Sequence, residues 1–218
     1  MARALITGGN RGIGYATAEG LIARGVEVVI GVRDAQAGAA VAAALGCDWV
    51  HLDLEEPETF ASAIAAAGEI DILINNAGIL IEYSMITHAD GLRRSMQVMF
   101  HAPFELILLC LPHMTPAGAG RIINVSSGWG AFDEGLEGPG GYGVAKAALN
   151  ALSHALPRDL PEGVTVNAMC PGWVHTRMGG RAAPRTPEEG ADTAIWLALD
   201  VPAGTTGKFF RDRQEKAW

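Results

Sequence analysis

The chain begins with a short apolar strand, Ala4-Leu5-Ile6, that runs into the turn Thr7-Gly8-Gly9-Asn10-Arg11-Gly12-Ile13-Gly14 and then into a helix. No other stretch limits the possible folds as strongly. Glycines spaced G-x-x-x-G-x-G between a strand and a helix let the backbone come close to a pyrophosphate, whose charge is stabilised by amides at the helix N-terminus. Strand, turn and helix in that order also open a βαβ unit.

The alternation continues to the end of the chain. The first helix, expected over 12–24, has Ile13, Ala16 and Leu21 for its buried stripe and stops at Gly25. Residues 26–31 form a continuous apolar run, as in a strand covered on both faces. A helix over 34–45 closed by Gly46, a strand over 48–52 and a helix over 55–67 with Pro57 early in it come next. Strand 71–74 leaves through Asn75-Asn76-Ala77-Gly78, and a long helix over 90–111 should kink at Pro103 and stop at Pro112. Strand 121–125 ends in Ser126-Ser127, followed by a glycine-rich loop and a helix from Tyr142 to about Leu156. Strand 164–169, helix 187–199 and a short strand over 207–210 complete the series. The expected fold is α/β: a single Rossmann-type domain over residues 1–218, with a doubly wound parallel sheet of about seven strands and helices on both faces.

On such a sheet, ligands bind beyond the carboxyl ends of the strands, at the switch in strand order. The glycine turn, Asn75 to Gly78, Ser126-Ser127 and Pro171-Gly172 all follow strands and should converge on that edge. Tyr142 and Lys146 start the next helix four residues apart, so the phenol and the ammonium share one face. A cation beside a phenol favours the phenolate, so the Tyr142 pKa is expected below its usual value near ~10. A serine hydroxyl at the same point could hold a substrate oxygen, a set suited to chemistry at a carbonyl or alcohol carbon.

Cofactor choice follows from the end of the second strand, Gly31-Val32-Arg33. A ribose 2′-hydroxyl is usually held there by a carboxylate and a 2′-phosphate by a cation. Arg33 and Arg11 therefore favour NADP(H) over NAD(H), and Asp34 is expected to start the following helix.

Composition excludes several other classes. A net charge of −8 argues against a nucleic-acid surface. Three dispersed cysteines and no His-x-x-x-His pair fit neither a disulfide framework nor a metal site, and they suit a reducing compartment. No signal peptide precedes the first strand, and the apolar stretch 104–111 is too short to span a bilayer. These points predict a cytoplasmic protein with a small-molecule partner and no membrane partner. Monomer and homo-oligomer both stay open.

Together these residues resemble the short-chain dehydrogenase/reductase family, and the resemblance covers the whole chain. The carbonyl-reductase-like branch is suggested by Val125-Ser126-Ser127-Gly128-Trp129-Gly130, Pro171-Gly172-Trp173-Val174 and the ending Lys208-Phe209-Phe210-Arg211-Asp212-Arg213. The resemblance implies reduction of aldehydes, ketones or quinones, with Tyr142 as the acid, Lys146 beside it and at the nicotinamide ribose, and Ser127 on the carbonyl oxygen. It further implies cofactor contacts from the turn (Thr7, Gly8, Asn10, Arg11, Gly12, Ile13, Gly14), from Arg33, Asp53 and Leu54, and from Asn75, Ala77 and Gly78. Pro171, Gly172, Val174 and Thr176 would complete the nicotinamide side. Met99 stands where the family usually carries an asparagine thought to hold a water for proton resupply. That departure motivates a second reading, a non-catalytic NADP(H)-binding redox sensor, and an NAD-linked alcohol dehydrogenase is a third. Trp129, Phe132, Trp173 and Met178 are either an apolar substrate pocket or ordinary loop packing. Asp133, Glu134 and Glu137 read as a solvated lid.

Overall fold

The computed structural model describes residues 1–115 and 118–218 in full, and residues 116–117 only as part of a helix. The elements form two βαβαβ halves: β1 (Arg3–Thr7), α1 (Gly12–Ala23), β2 (Glu27–Val32), α2 (Ala35–Leu45), β3 (Asp48–His51), α3 (Phe60–Ala67), β4 (Ile72–Asn75), α4 (Ala89–Met96) and α5 (Ala102–Ala117) lead to the second half. That half contains β5 (Gly120–Val125), α6 (Tyr142–Ala155), β6 (Val164–Met169), α7 (Pro187–Leu199), β7 (Phe209–Arg211) and β8 (Gln214–Lys216).

All eight strands join one sheet in the order β3-β2-β1-β4-β5-β6-β7-β8. Every pairing is parallel except the last, β7 with β8. The order reverses between β1 and β4, which opens a crevice at the carboxyl ends of those strands. Alternate side chains enter opposite cores. Leu5, Val29, Leu73, Ile122 and Val166 pack under α3, α5 and α6. Ala4, Ile6, Ile30, Ile74 and Ile123 pack under α1 and α7. Both faces are covered, which explains why these strands read as continuous apolar runs.

Three expectations need correction. The sheet has eight strands rather than about seven, because the tail folds back as β8. The tight turn between β7 and β8 places Asp212 and Arg213 at φ +53° and +60°. Two successive left-handed residues match the twist of a two-residue hairpin, here without glycine. Secondly, the helix over 55–67 is two pieces: a 3₁₀ turn, Pro57–Thr59, precedes α3.

The third correction concerns the long helix. It starts at Ala89, widens into a π-helical turn over Gln97–His101 just before Pro103, and passes through Pro112 to Ala117. Pro112 does not stop it. The carbonyl that loses its donor belongs to Leu108, on the exposed face, where water can replace the missing N–H. The helical run Ala89–Thr115 is long and apolar enough to cross a membrane by length and composition. Its stripe of Val98, Met99, Leu106, Ile107, Cys110 and Met114 is instead spent in the core against the sheet.

Candidate active site

The glycine turn is held by the turn after β4. Thr7 is buried, and its Oγ1 accepts from the backbone N–H groups of Asn76 and Ala77, both at 3.0 Å. Asn76 Nδ2 donates back to the Thr7 carbonyl at 2.8 Å. A Cβ added to Gly14 would lie 2.5 Å from Asn76 Nδ2 and 2.5 Å from the Gly8 carbonyl, so only glycine fits there. Gly8, at φ +66°, turns the chain between the two loops. Asn76 was not among the residues expected at the site. Its neighbour Asn75 is buried, and its amide donates to Asn124 Oδ1 at 2.9 Å, so only the Asn75 backbone can face the crevice.

The segment after β6 closes the far side of this cradle. A Cβ built on Gly12 would meet Thr176 Cγ2 at 3.0 Å, and Val174 and Ile13 both pack at Gly190 of α7. Gly12, Ile13, Val174 and Thr176 are thus brought together, as the sequence suggested. Gly172, after Pro171, takes φ +77° and lies against the Arg185 side chain.

Charge gathers at the carboxyl end of β2 and beside the glycine turn. Arg11 precedes α1, and Asp34 is occupied as the cap of α2, accepting from Ala37 N at 2.9 Å. Arg33 is half exposed, 3.9 Å from Glu55 Oε2. Glu55 is itself held by Arg94 Nε at 2.6 Å, which keeps its carboxyl below the usual range. Arg177, on the segment after β6, stands near Arg11. Partial burial lowers the Arg11 pKa, and the charges of Arg177 and Arg33 lower it further. Asp53 caps its own turn, accepting from Glu55 N at 3.0 Å, and Leu54 is buried beside it.

At the centre of the edge, the Ser127 hydroxyl stands beside the Tyr142 phenol, and Ser127 Oγ accepts from Trp129 N at 3.2 Å. Ser126 instead points inward, toward the Lys146 carbonyl at 3.4 Å. Lys146 is 4 % exposed. Its Nζ donates to the Val125 carbonyl at 2.6 Å and lies 5.8 Å from the centre of the Tyr142 ring.

Burial dominates the electrostatics here and overturns the expected direction for the phenol. Loss of solvent pushes the Tyr142 pKa up to about 12, opposed by the nearby Ser127 hydroxyl and reinforced by the Cys170 sulfur. The same loss brings Lys146 down to about 8, with Cys170 opposing. Each group is driven toward its neutral form, as desolvation requires.

Met99 is fully buried in the π-helical turn. A Cβ on Gly78 would lie 3.3 Å from Met99 Sδ and 3.8 Å from Lys146 Nζ, so a thioether borders the space beside the ammonium. Trp129 meets the Tyr142 ring edge-on at 6.1 Å and is half exposed. Phe132 and Trp173 are more exposed, and Trp173 Nε1 donates to the Gly179 carbonyl at 2.8 Å. Met178 lies on the same segment, 42 % exposed. Glu134 is not a solvated lid residue: it is paired with Arg211.

The family model described as short chain dehydrogenase matches residues 2–186. "Carbonyl reductase [NADPH] 1" of Mus musculus is 29% identical over 273 aligned positions, covering 99% of this chain and 98% of the relative. The "3-alpha-(or 20-beta)-hydroxysteroid dehydrogenase" of Mycobacterium bovis is 34% identical over 230, covering 95% and 86%. Among solved structures, the "Pseudomonas aeruginosa RhlG/NADP active-site complex" superposes with a TM-score of 0.86 at 32% identity, covering 96% of this chain and 93% of the other.

Proposed function

We propose that this chain, which belongs to the short-chain dehydrogenase family, reduces carbonyl groups of aldehydes, ketones or quinones to alcohols, using NADP(H). The observation that carries the reading is Ser127 beside Tyr142 with a buried Lys146 behind it, set at the same sheet edge as the glycine cradle. Gly8, Gly12 and Gly14 let the turn pack closely against Asn76, Ala77 and Thr176, and the N-terminus of α1 to which it leads suits a dinucleotide pyrophosphate. A bound reduced nicotinamide would supply hydride to the carbonyl carbon.

The residues of the chain supply the rest. Burial keeps the Tyr142 phenol protonated at neutral pH, the state an acid needs in order to give its proton to a developing alkoxide. The Ser127 hydroxyl, beside that phenol, would donate to the same oxygen. The phenolate left on Tyr142 is stabilised by the Lys146 ammonium, whose field acts in a site with little water to screen it. Trp129, edge-on to Tyr142, with Phe132, Trp173 and Met178 beyond it, offers apolar surface to the substrate's carbon skeleton.

Arg11, Arg33 and Arg177 support a 2′-phosphate on the adenosine ribose, since the nearest carboxylate on the chain, Asp34, is committed to capping α2. The carbonyl reductase relative named for NADPH and the NADP complex agree with this choice. One observation favours NAD(H): Glu55, 3.9 Å from Arg33, partly neutralises that cation. Incubating the purified protein with NADPH and a panel of aldehydes, ketones and quinones tests the proposal. Turnover that disappears in Tyr142→Phe is expected; absence of turnover across the panel, or turnover that survives the substitution, overturns it. A preference for NADH unaltered by Arg33→Gln would favour the NAD-linked alcohol dehydrogenase reading.

A further inference from the structure

We propose that the C-terminal hairpin braces the loop carrying Ser127 and that Arg211 is the positioning residue through which it acts. The inference rests on the role given above to Ser127 and Tyr142.

Ser127 has extended backbone and starts a single 3₁₀ turn, Gly128–Gly130, so its orientation depends on what holds that turn. Two features of the hairpin's surroundings hold it. The Gly128 N–H donates to Cys170 Sγ at 3.2 Å, and the same sulfur accepts from Gly172 N at 3.4 Å, so one atom at the end of β6 joins the loops after β5 and β6. Over the other side of Gly128 lie Arg211 and Glu134. Arg211 Nη2 donates to both carboxylate oxygens of Glu134, at 2.7 and 2.8 Å, and a Cβ on Gly128 would collide with Arg211 Nη2 and Glu134 Oε2 together. The ion pair is therefore seated on the peptide next to the serine.

Glu134 lies midway along the loop that connects Ser127 to Tyr142, so a hold on Glu134 constrains both residues. The pair is largely shielded, with side-chain exposures of 26% and 35%. Burial alone would weaken the Arg211 cation, but Glu134 and the Cys170 sulfur more than offset it. Breaking such a pair leaves a charge with neither partner nor full hydration, unlike loss of a surface pair.

The hairpin is also anchored from outside. Asp212 in its turn pairs with Arg185 of the segment after β6, and Arg213 Nε donates to Asp192 of α7 at 2.7 Å. A second hold on the Tyr142 loop comes from the tail, where Asp133 N donates to the Trp218 carbonyl at 3.0 Å and the Trp218 ring stacks on Phe209 at 5.5 Å. Strands β7 and β8 thus tie together the serine loop, the segment after β6 and α7.

Arg211→Gln, Arg211→Lys, Glu134→Gln and the double Gln variant test this in the full chain. Displacing a catalytic group by about 1 Å costs up to about 10²-fold in rate. Arg211→Gln should accordingly lower kcat by about tenfold to a hundredfold while leaving KM for NADPH unchanged. Arg211→Lys should recover part of the loss, and the double variant should be no slower than the worse single one. Hydrogen exchange at the Gly128 and Trp129 amides should accelerate in Arg211→Gln, a readout independent of turnover. Unchanged kcat and unchanged exchange in folded Arg211→Gln would overturn the proposal, as would losses that add in the double variant and raise KM for NADPH equally. If the unaltered protein reduced no carbonyl, the functional reading would fail, while the exchange measurement would still decide whether the brace exists.

Discussion

The proposed cofactor edge and the proposed proton-transfer centre lie on one sheet but are built by opposite means. The edge is made of backbone: Gly8, Gly12 and Gly14 let the turns close tightly on one another, Thr7 and Asn76 pin two turns together, and the cations around it are exposed or only partly buried. The centre is made of side chains removed from water, where Lys146 is pushed down to about 8 and Tyr142 up to about 12. Steric fit decides the first region and desolvation the second. Substitutions should therefore separate the two, affecting affinity at one and chemistry or stability at the other.

Tyr142→Phe should lower kcat by about 10²- to 10⁴-fold, the usual contribution of a positioned acid. Its affinity for NADPH, followed by fluorescence titration, should stay within experimental scatter of the parent. A large loss of affinity would mean that the two regions are not separable.

Lys146→Met should act in two directions, abolishing turnover while stabilising the cofactor-free protein at pH 7. Holding a lysine whose pKa has fallen from 10.5 to about 8 costs on the order of 3 kcal/mol. The sign follows from proton counting. Between pH 8 and 10.5 the unfolded chain binds the proton that folded Lys146 has released, so stability rises with pH across that window. Tyr142 acts oppositely between about pH 10 and 12, where the unfolded chain has lost a proton that the fold retains, so stability falls there. Denaturant melts across pH should show the rise from pH 8 in the parent and not in Lys146→Met.

At the edge, Gly14→Ala should cost about 1–3 kcal/mol through the collision with Asn76 and Gly8, weakening NADPH binding with little effect on kcat at saturation. Arg33→Gln should raise KM for NADPH by about fivefold, the modest effect expected of an exposed charge, and leave KM for NADH unchanged.

The same division explains what the sequence revealed. The order of elements, the glycine turn and the gathering of the turns after β1, β4 and β6 at one sheet edge were legible because they depend on local pattern and on rules of strand order. The parallel sheet was legible for the same reason, whereas β8 was not: its turn uses Asp212 and Arg213 at positive φ, without the glycine that signals a hairpin. Pro112 misled because whether a proline ends a helix depends on where the orphaned carbonyl points. The direction of the Tyr142 shift was missed for a related reason. Spacing put a cation on the right face, but Lys146 turns to the Val125 carbonyl, and the depth of burial is a property of the packed core. Glu134 looked solvated because its partner, Arg211, is 77 residues away.

The central claim is that desolvation tunes the Tyr142–Lys146 pair, and Lys146 can be observed directly. The chain has only three lysines: Lys146, Lys208 and Lys216. Lys208 is paired on the surface with Glu215, and Lys216 is exposed. In a heteronuclear NMR titration of side-chain-labelled, cofactor-free protein, one lysine should titrate near pH 8 and its signal should be missing from Lys146→Met. Three lysines all titrating near the ordinary value of about 10.4 would contradict the account.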